Sequence, residues 1–271
     1  MKVLLTNDDG IRAPGIMALF DALTDDAGAG GGPIGEEVWP VAPLTVQSAT
    51  GHGVTFHTPL MVEPVTLRDG AEGYAVDGRP ADCVKLAICS LWPERFGPDQ
   101  RPDLLVSGMN AGANVGINVI YSGTVAAAIE AAFLGVPSIA ISLHLGKGQP
   151  LFEPAARAAR RVIDRILDHG LSPHECVSVN IPRMEPGLPL EDLPVRVCRM
   201  NTHGLIDAYE RRESPSGDVY YWPSGSGFDF TAADDDADVA LLLGRNITVT
   251  PLRFDLTETG TIDAWRDALE R

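Results

Sequence analysis

The sequence predicts an α/β fold built on a mainly parallel sheet flanked by helices. Three observations predict it. Up to Pro182, short buried strand segments alternate with helical segments, the pattern of strand–helix–strand units. Several strand segments run out into loops rich in Gly, Asn and Asp. The first of them, Val3-Leu4-Leu5, stops abruptly at Asn7-Asp8-Asp9-Gly10, and open α/β sheets bind ligands at that carboxyl-terminal edge.

Each element follows from local pattern. Ile16, Leu19, Phe20 and Leu23 share one face of a helix that Pro14 suits as a start. Thr24–Glu37 has no periodicity and holds Gly28, Gly30, Gly31, Gly32 and Gly35. It reads as a surface linker, because it lacks the GxGxxG and Lys of a phosphate cradle. Val38–Ala42 is a second strand, and Pro40 implies that it is short or near an edge. Val54–Met61 and Val65–Val76 read as strands around a turn at Arg68-Asp69-Gly70, and Pro80–Leu91 as one helix. Leu104–Ser107 and Ser138–Ser142 are buried strands, Thr124–Leu134 is an Ala-rich helix, and Pro154–His169 is helical. Past Pro182 the texture changes. Val195–Met200 and Asp218–Trp222 read as strands, with Ser214-Pro215-Ser216-Gly217 as a turn, in a protruding arm over 195–225. Asp234–Leu243 and Ile247–Thr250 return to the helix–strand pattern, and one domain over 1–271 is expected.

Composition narrows the partners. With 21 Lys+Arg against 37 Asp+Glu, the net charge is −16, which disfavours nucleic-acid polymers and anionic membranes. A small anionic substrate in a local pocket is not excluded. Cys83, Cys89, Cys176 and Cys198 form no CxxC pair and read as small core residues. Val3–Leu5 is too short an apolar run for a signal peptide, and Glu130, Gly135 and Pro137 interrupt Val125–Leu145 as a membrane span. A reduced, cytoplasmic location is expected.

Asp8 and Asp9 would face opposite ways inside a regular strand, but they converge where Gly10 lets the chain leave the sheet. Two carboxylates held together repel unless a cation or a shared proton relieves them, so a hard-metal site is expected here. The alternative is a plain turn before a helix cap. The second informative stretch is Ser107–Asn118, whose alternating Gly and Asn supply an anion-binding nest and neutral oxygen ligands, or simply a permissive loop. In the third, Tyr121-Ser122-Gly123-Thr124, the residues cap the Ala-rich helix, and the same amides can receive a phosphate. His52 reads as a general acid or as a satisfied loop residue. The other five histidines lack metal-ligand spacing.

These blocks together resemble the SurE survival-protein family of metal-dependent nucleotidases and phosphatases. They are Val3–Ile11 with Pro14-Gly15-Ile16, Val41-Ala42-Pro43, Ser48–His52, Gly78 with Pro80–Leu86, Ser107–Asn110 with Gly112 and Asn114, and Tyr121–Val125. Ser214-Pro215, Gly217 and Tyr220-Tyr221-Trp222 add to them late in the chain. The resemblance implies a Rossmann-like core with a C-terminal β-hairpin arm, and a homodimer or homotetramer. It implies one divalent ion per subunit, Mg or Mn, held by Asp8, Asp9, Ser48 and Asn110. Asp8 and Asp9 are the implied catalytic residues, with Asn7, Asn114, Ser122, Gly123 and Thr124 on the substrate phosphate. The implied reaction is hydrolysis of nucleoside 5'/3'-monophosphates, by an activated water or through an aspartyl-phosphate. The alternatives are another small phosphorylated metabolite, such as a sugar phosphate, and a non-catalytic nucleotide-binding protein.

The departures from the family pattern fall in loops around the site. Leu44 stands where Asp is usual, Gln47 where Arg is usual, Gly53 where Ser is common and Arg79 where Thr is common. The Met200–Gly204 stretch lacks the usual arginines of the arm. Losing an Arg removes a bidentate phosphate donor, and Arg79 restores positive charge from another side. The expected ligands are all retained.

Overall fold

The computed structural model describes residues 1–25, 32–146, 148–185, 193–224 and 227–270. Gly28, Gly30 and Gly31 of the expected linker lie outside them. Strands β1 (Lys2–Thr6), β2 (Glu37–Pro43), β3 (Val62–Thr66), β4 (Glu72–Val76), β5 (Leu104–Ala111), β6 (Ser138–Leu143), β7 (Cys176–Ile181), β8 (Val195–Val197) and β11 (Ile247–Leu252) form one nine-stranded sheet. Its order is β3-β4-β2-β1-β5-β6-β7-β11-β8. Only the β3–β4 and β7–β11 pairings are antiparallel. A mainly parallel α/β sheet is what the alternation predicted.

Helices cover both faces. On one face, α1 (Pro14–Thr24) and α5 (Phe152–His169) pack on Val3, Leu5, Val106, Ile139 and Val179. On the other, α2 (Pro80–Leu86), α3 (Trp92–Phe96) and α4 (Gly123–Phe133) pack on Leu4, Trp39, Val41 and Leu105. Alternate residues of β1 therefore feed opposite cores, and its buried residues Val3–Leu5 are all apolar until Thr6. Trp39 is enclosed by Tyr74, Trp92 and Phe96, with ring centroids 5.6–5.8 Å away.

Some boundaries differ from expectation. Pro40 lies in an internal strand. Its carbonyl faces Gly73 of β4, so its missing N–H lies on that side, just before the ladder begins at Val41↔Tyr74. Val54–Met61 is irregular. Phe56 is exposed, and the Thr55 amide is spent on Asp82, so regular pairing starts only at Val62. The helix expected over Pro80–Leu91 continues past it through a π turn (Ala87–Leu91) into α3. Pro93 has no N–H for a bond to Cys89, and the wider turn accommodates its ring. Beyond the expected elements, β7 extends the sheet, and α7 (Ile262–Leu269) lies near the C-terminus. Val195 begins β8 within the main sheet. The separate two-stranded hairpin comprises β9 (Ala208–Glu213) and β10 (Val219–Ser224), turning at Ser214–Gly217. A short helix, α6 (Asp238–Leu243), precedes β11. Among the described residues, no helix is long and apolar enough to cross a membrane.

The chain runs outward from β1 to β2 and β4, then returns to β5 on the other flank of β1. The ends of β1 and β5 thus border the crevice where the winding reverses. The Trp39 cluster tests the packing that supports that edge. Trp39→Ala is expected to cost about 3–5 kcal/mol, read from the midpoint of denaturant unfolding.

Candidate active site

Asn7 shapes the end of β1. Its Nδ2 donates to Gly10 O at 2.8 Å and its Oδ1 accepts from the Gly10 amide at 3.2 Å, closing a turn around the two carboxylates. Gly10 leaves the sheet at φ +101°, as the sequence required. Asn7 is fully buried with both polar groups spent, so the structure gives it a shaping role in place of the expected substrate contact.

The two carboxylates differ. Asp8 is 5% exposed, and its Oδ1 accepts from the Thr124 hydroxyl at 2.5 Å. Its carboxylate packs over Gly123, where a Cβ would come within 3.1 Å of Oδ2. Burial pushes the Asp8 pKa up to about 6. The Thr124 hydroxyl opposes that rise, and the charge on Asp9 adds to it. Asp9 is more accessible. Burial raises its pKa as well, opposed by the Ala111 amide, which donates to Oδ2 at 2.9 Å.

At the end of β5, Asn110 Nδ2 donates to Gly112 O at 2.7 Å, leaving Oδ1 without a hydrogen bond among the described residues. The Ser48 hydroxyl is exposed and likewise unengaged. Its loop is tied to the carboxylate turn by the Gln47 amide, which donates to Asp8 O at 2.7 Å. Among the described residues, no three His, Cys, Asp or Glu side chains gather as a metal cluster, so any cation here takes two carboxylates plus neutral oxygens. Such an oxygen-only set suits a hard ion.

The start of α4 is mostly committed to the scaffold. The Ser122 hydroxyl accepts from the Val125 amide, and the Ser122 amide donates to Val119 O. The Thr124 hydroxyl is spent on Asp8. The Thr124 hydroxyl is therefore occupied, whereas the Ser122 hydroxyl only accepts and keeps its O–H free to donate among the described residues. Gly123 lies against Asp8, where only a residue without a Cβ fits. Asn114 is held by Asn180, which accepts from its amide at 2.8 Å and donates to its carbonyl at 3.0 Å. The Asn114 side chain is oriented by Ser142 Oγ at 2.9 Å.

A layer of anchors lay outside the sequence reading. Glu130, buried on α4, holds Lys85 Nζ and His52 Nε2, each at 2.7 Å. Burial pushes its pKa up, but those two partners outweigh burial and hold it below the usual carboxylate range. Its hydrogen bond in turn raises Lys85. His52 is thus engaged, as the satisfied-loop alternative held. Asp82 accepts from the amide and hydroxyl of Thr55 and from the Arg79 amide. Buried Asp238 accepts from the amides of Gly116, Asn201 and Val239, each at 2.8 Å, fixing the loop after β5. A lone acid within or at the start of an apolar helix was the only available signal.

Residues 3–205 match the family described as "Survival protein SurE". The chain belongs to the SurE family. It is 42% identical to "5'-nucleotidase SurE" of Desulforudis audaxviator, covering 97% of this chain and 96% of that protein. It is 40% identical to the Carboxydothermus hydrogenoformans protein of the same name, covering 100% and 98%. The crystal structure of the SurE protein from Aquifex aeolicus superposes with a TM-score of 0.78 at 32% identity, covering 99% of each chain.

The buried carboxylate makes stability depend on pH. A carboxyl whose pKa is raised by folding binds more protons in the fold than in the unfolded chain, so stability falls as pH rises between the two values. Here that window runs from 3.8 to about 6, and the full cost is present above it. Asp8→Asn removes the charge and keeps an acceptor for Thr124. With chelator present, it is expected to stabilise the chain by roughly 3 kcal/mol at about pH 7 and to change little below about pH 4, read by denaturant unfolding.

Proposed function

We propose that this SurE-family chain is a divalent-metal-dependent phosphomonoesterase that hydrolyses nucleoside 5'/3'-monophosphates to nucleoside and phosphate. The observation that carries the reading is the buried Asp8 beside Asp9 at the crevice between β1 and β5, backed by the glycine that opens α4. The names of the full-length relatives agree with it.

The donors fit a hard cation such as Mg or Mn. Two adjacent carboxylates with raised pKa values stand near two oxygens, Asn110 Oδ1 and Ser48 Oγ, that no described residue engages. Asp8, Asp9, Asn110 and Ser48 would hold it. When bound, such an ion neutralises charge on the phosphoryl oxygens and acidifies water. The chain's own groups then divide the remaining work. Asp8, with one oxygen fixed by Thr124, is a rigid anionic anchor. Asp9 keeps Oδ1 clear of partners among the described residues and takes a proton from the attacking water. The new bond forms between that water's oxygen and phosphorus, the ester P–O bond breaks, and the leaving alkoxide takes up a proton. Asn114, with its backbone fixed by Asn180, borders the space for the phosphoryl oxygens.

The test is phosphate release from a panel of nucleoside monophosphates and sugar phosphates, with Mg or Mn and after chelation. Release from the nucleotides, lost with chelator and reduced about a hundred-fold or more by Asp9→Asn, is expected. Release from sugar phosphates alone would move the substrate, and release from neither would sink the reading.

We also propose self-association as a homodimer or homotetramer. All exposed on the hairpin, Tyr209 and Tyr221 share one face while Tyr220 and Trp222 share the other, so both faces carry aromatic surface of the kind that proteins cover. Light scattering is expected to give a multiple of 28.9 kDa that falls in Trp222→Glu. A wild-type monomer would contradict it.

A further inference from the structure

The basic side chains near the carboxylate pair are of two kinds. Lys85 and His52 are both engaged by Glu130. The Arg79 guanidinium, by contrast, has no ion pair and no hydrogen bond among the described residues, in a chain of net charge −16. It is nonetheless held in place. Arg79 crosses Gly53 so closely that a Cβ there would come within 2.5 Å of Nη1 and 3.1 Å of Cζ. The next residue, Pro80, packs on the wall of the Asp8 pocket. A Cβ at Gly123 would lie 3.0 Å from Pro80 Cγ and 2.9 Å from Asp8 Cβ. Arg79 thus leaves the chain one residue from that wall and reaches back to the loop that carries Ser48.

We infer that Arg79 is a phosphate-binding residue of this site, its guanidinium contacting oxygens of the substrate phosphoryl group from the loop side. The inference rests on the phosphomonoesterase reading. The chemistry favours it: a planar fork of N–H donors matches phosphate oxygens in pairs. Packing on Gly53 has already restricted the side chain, so less entropy is lost on binding. The other candidate beside the carboxylates is Arg12, which also lacks an ion pair among the described residues. Both arginines are exposed, but Arg12 sits on the turn after Gly10 with no comparable glycine to seat it. The acidic groups of the neighbourhood do not compete for Arg79, because Asp82 is engaged by Thr55 and by the Arg79 amide, and Glu130 by Lys85 and His52.

The experiment measures calorimetric binding of inorganic phosphate with Mg present, and KM and kcat for a nucleoside monophosphate. The variants are Arg79→Ala, Arg79→Lys, Gly53→Ala and Arg12→Ala, each checked by its melting temperature. Arg79→Ala is expected to weaken phosphate binding and raise KM by about ten- to a hundred-fold, with kcat changing less and melting unchanged. Arg79→Lys recovers part of the loss. Gly53→Ala keeps the charge and meets only the end of a flexible side chain, so it shifts the guanidinium and moves KM the same way. Arg12→Ala leaves both quantities unchanged. The inference is overturned if Arg79→Ala leaves phosphate affinity unchanged, if Arg12→Ala carries the loss, or if the loss tracks a fall in melting temperature. Phosphate binding that depends on Arg79 without turnover would reject the enzymatic reading and keep the inference. A wild-type protein that binds no phosphate would reject both.

Discussion

The hydrogen bond from the Thr124 hydroxyl to Asp8 joins two points 116 residues apart and holds a carboxylate almost wholly out of water. Burying that group is unfavourable, and the surrounding structure is arranged to tolerate it. The helix that brings Thr124 begins with glycine, because Asp8 and Pro80 leave no space for a Cβ. Ser122 caps that helix, so its first turn stays in place behind the carboxylate. Asn7 closes the turn beneath it, and the Gln47 amide engages the Asp8 carbonyl. Several modest interactions converge on one destabilised group, as sites prepared for a cation or a reacting anion require.

A second principle governs the loops. Polar loops rich in Gly and Asn have little apolar surface to bury, so they need other restraints. Here each is fixed by a buried side chain from a distant regular element. Asn180 of β7 holds the Asn114 backbone, Asp238 of α6 holds Gly116, Asp82 of α2 holds Thr55, and Glu130 of α4 holds His52. The acceptors sit on rigid helices and strands while the proposed contacts to ligand sit on the loops, which joins precise placement to exposed chemistry.

The sheet and much of the site were legible because their signals are local. Val3–Leu5 running into Asp8-Asp9-Gly10 places the carboxylates, and the β5 loop is readable from its Gly and Asn spacing. What stayed hidden depends on contacts between distant residues. Glu130 looks like an interruption in an apolar helix until His52, 78 residues away, is seen beside it. Asn180 sits in an otherwise ordinary strand 66 residues from Asn114. Pro40 misled because tolerance of proline depends on where the neighbouring ladder begins, and that is set by β4. Thr124 carries the right chemistry for a phosphate, but only the fold reveals that its hydroxyl is already committed to Asp8.

The loop over residues 44–57 is fastened at Leu44, Gln47, Gly51, His52 and Thr55, through four backbone amides, one imidazole and one threonine hydroxyl. The side chains of Leu44, Val46 and Phe56 face solvent. Substitutions of these exposed side chains alter what would, on the proposed reading, be the rim for the non-phosphate part of a substrate, while the backbone and buried anchor points that set the loop's path stay as they are. Such a rim is free to drift under selection for a different substrate at little cost to folding, whereas the floor made by Asp8, Gly123 and Thr124 has almost no room to change.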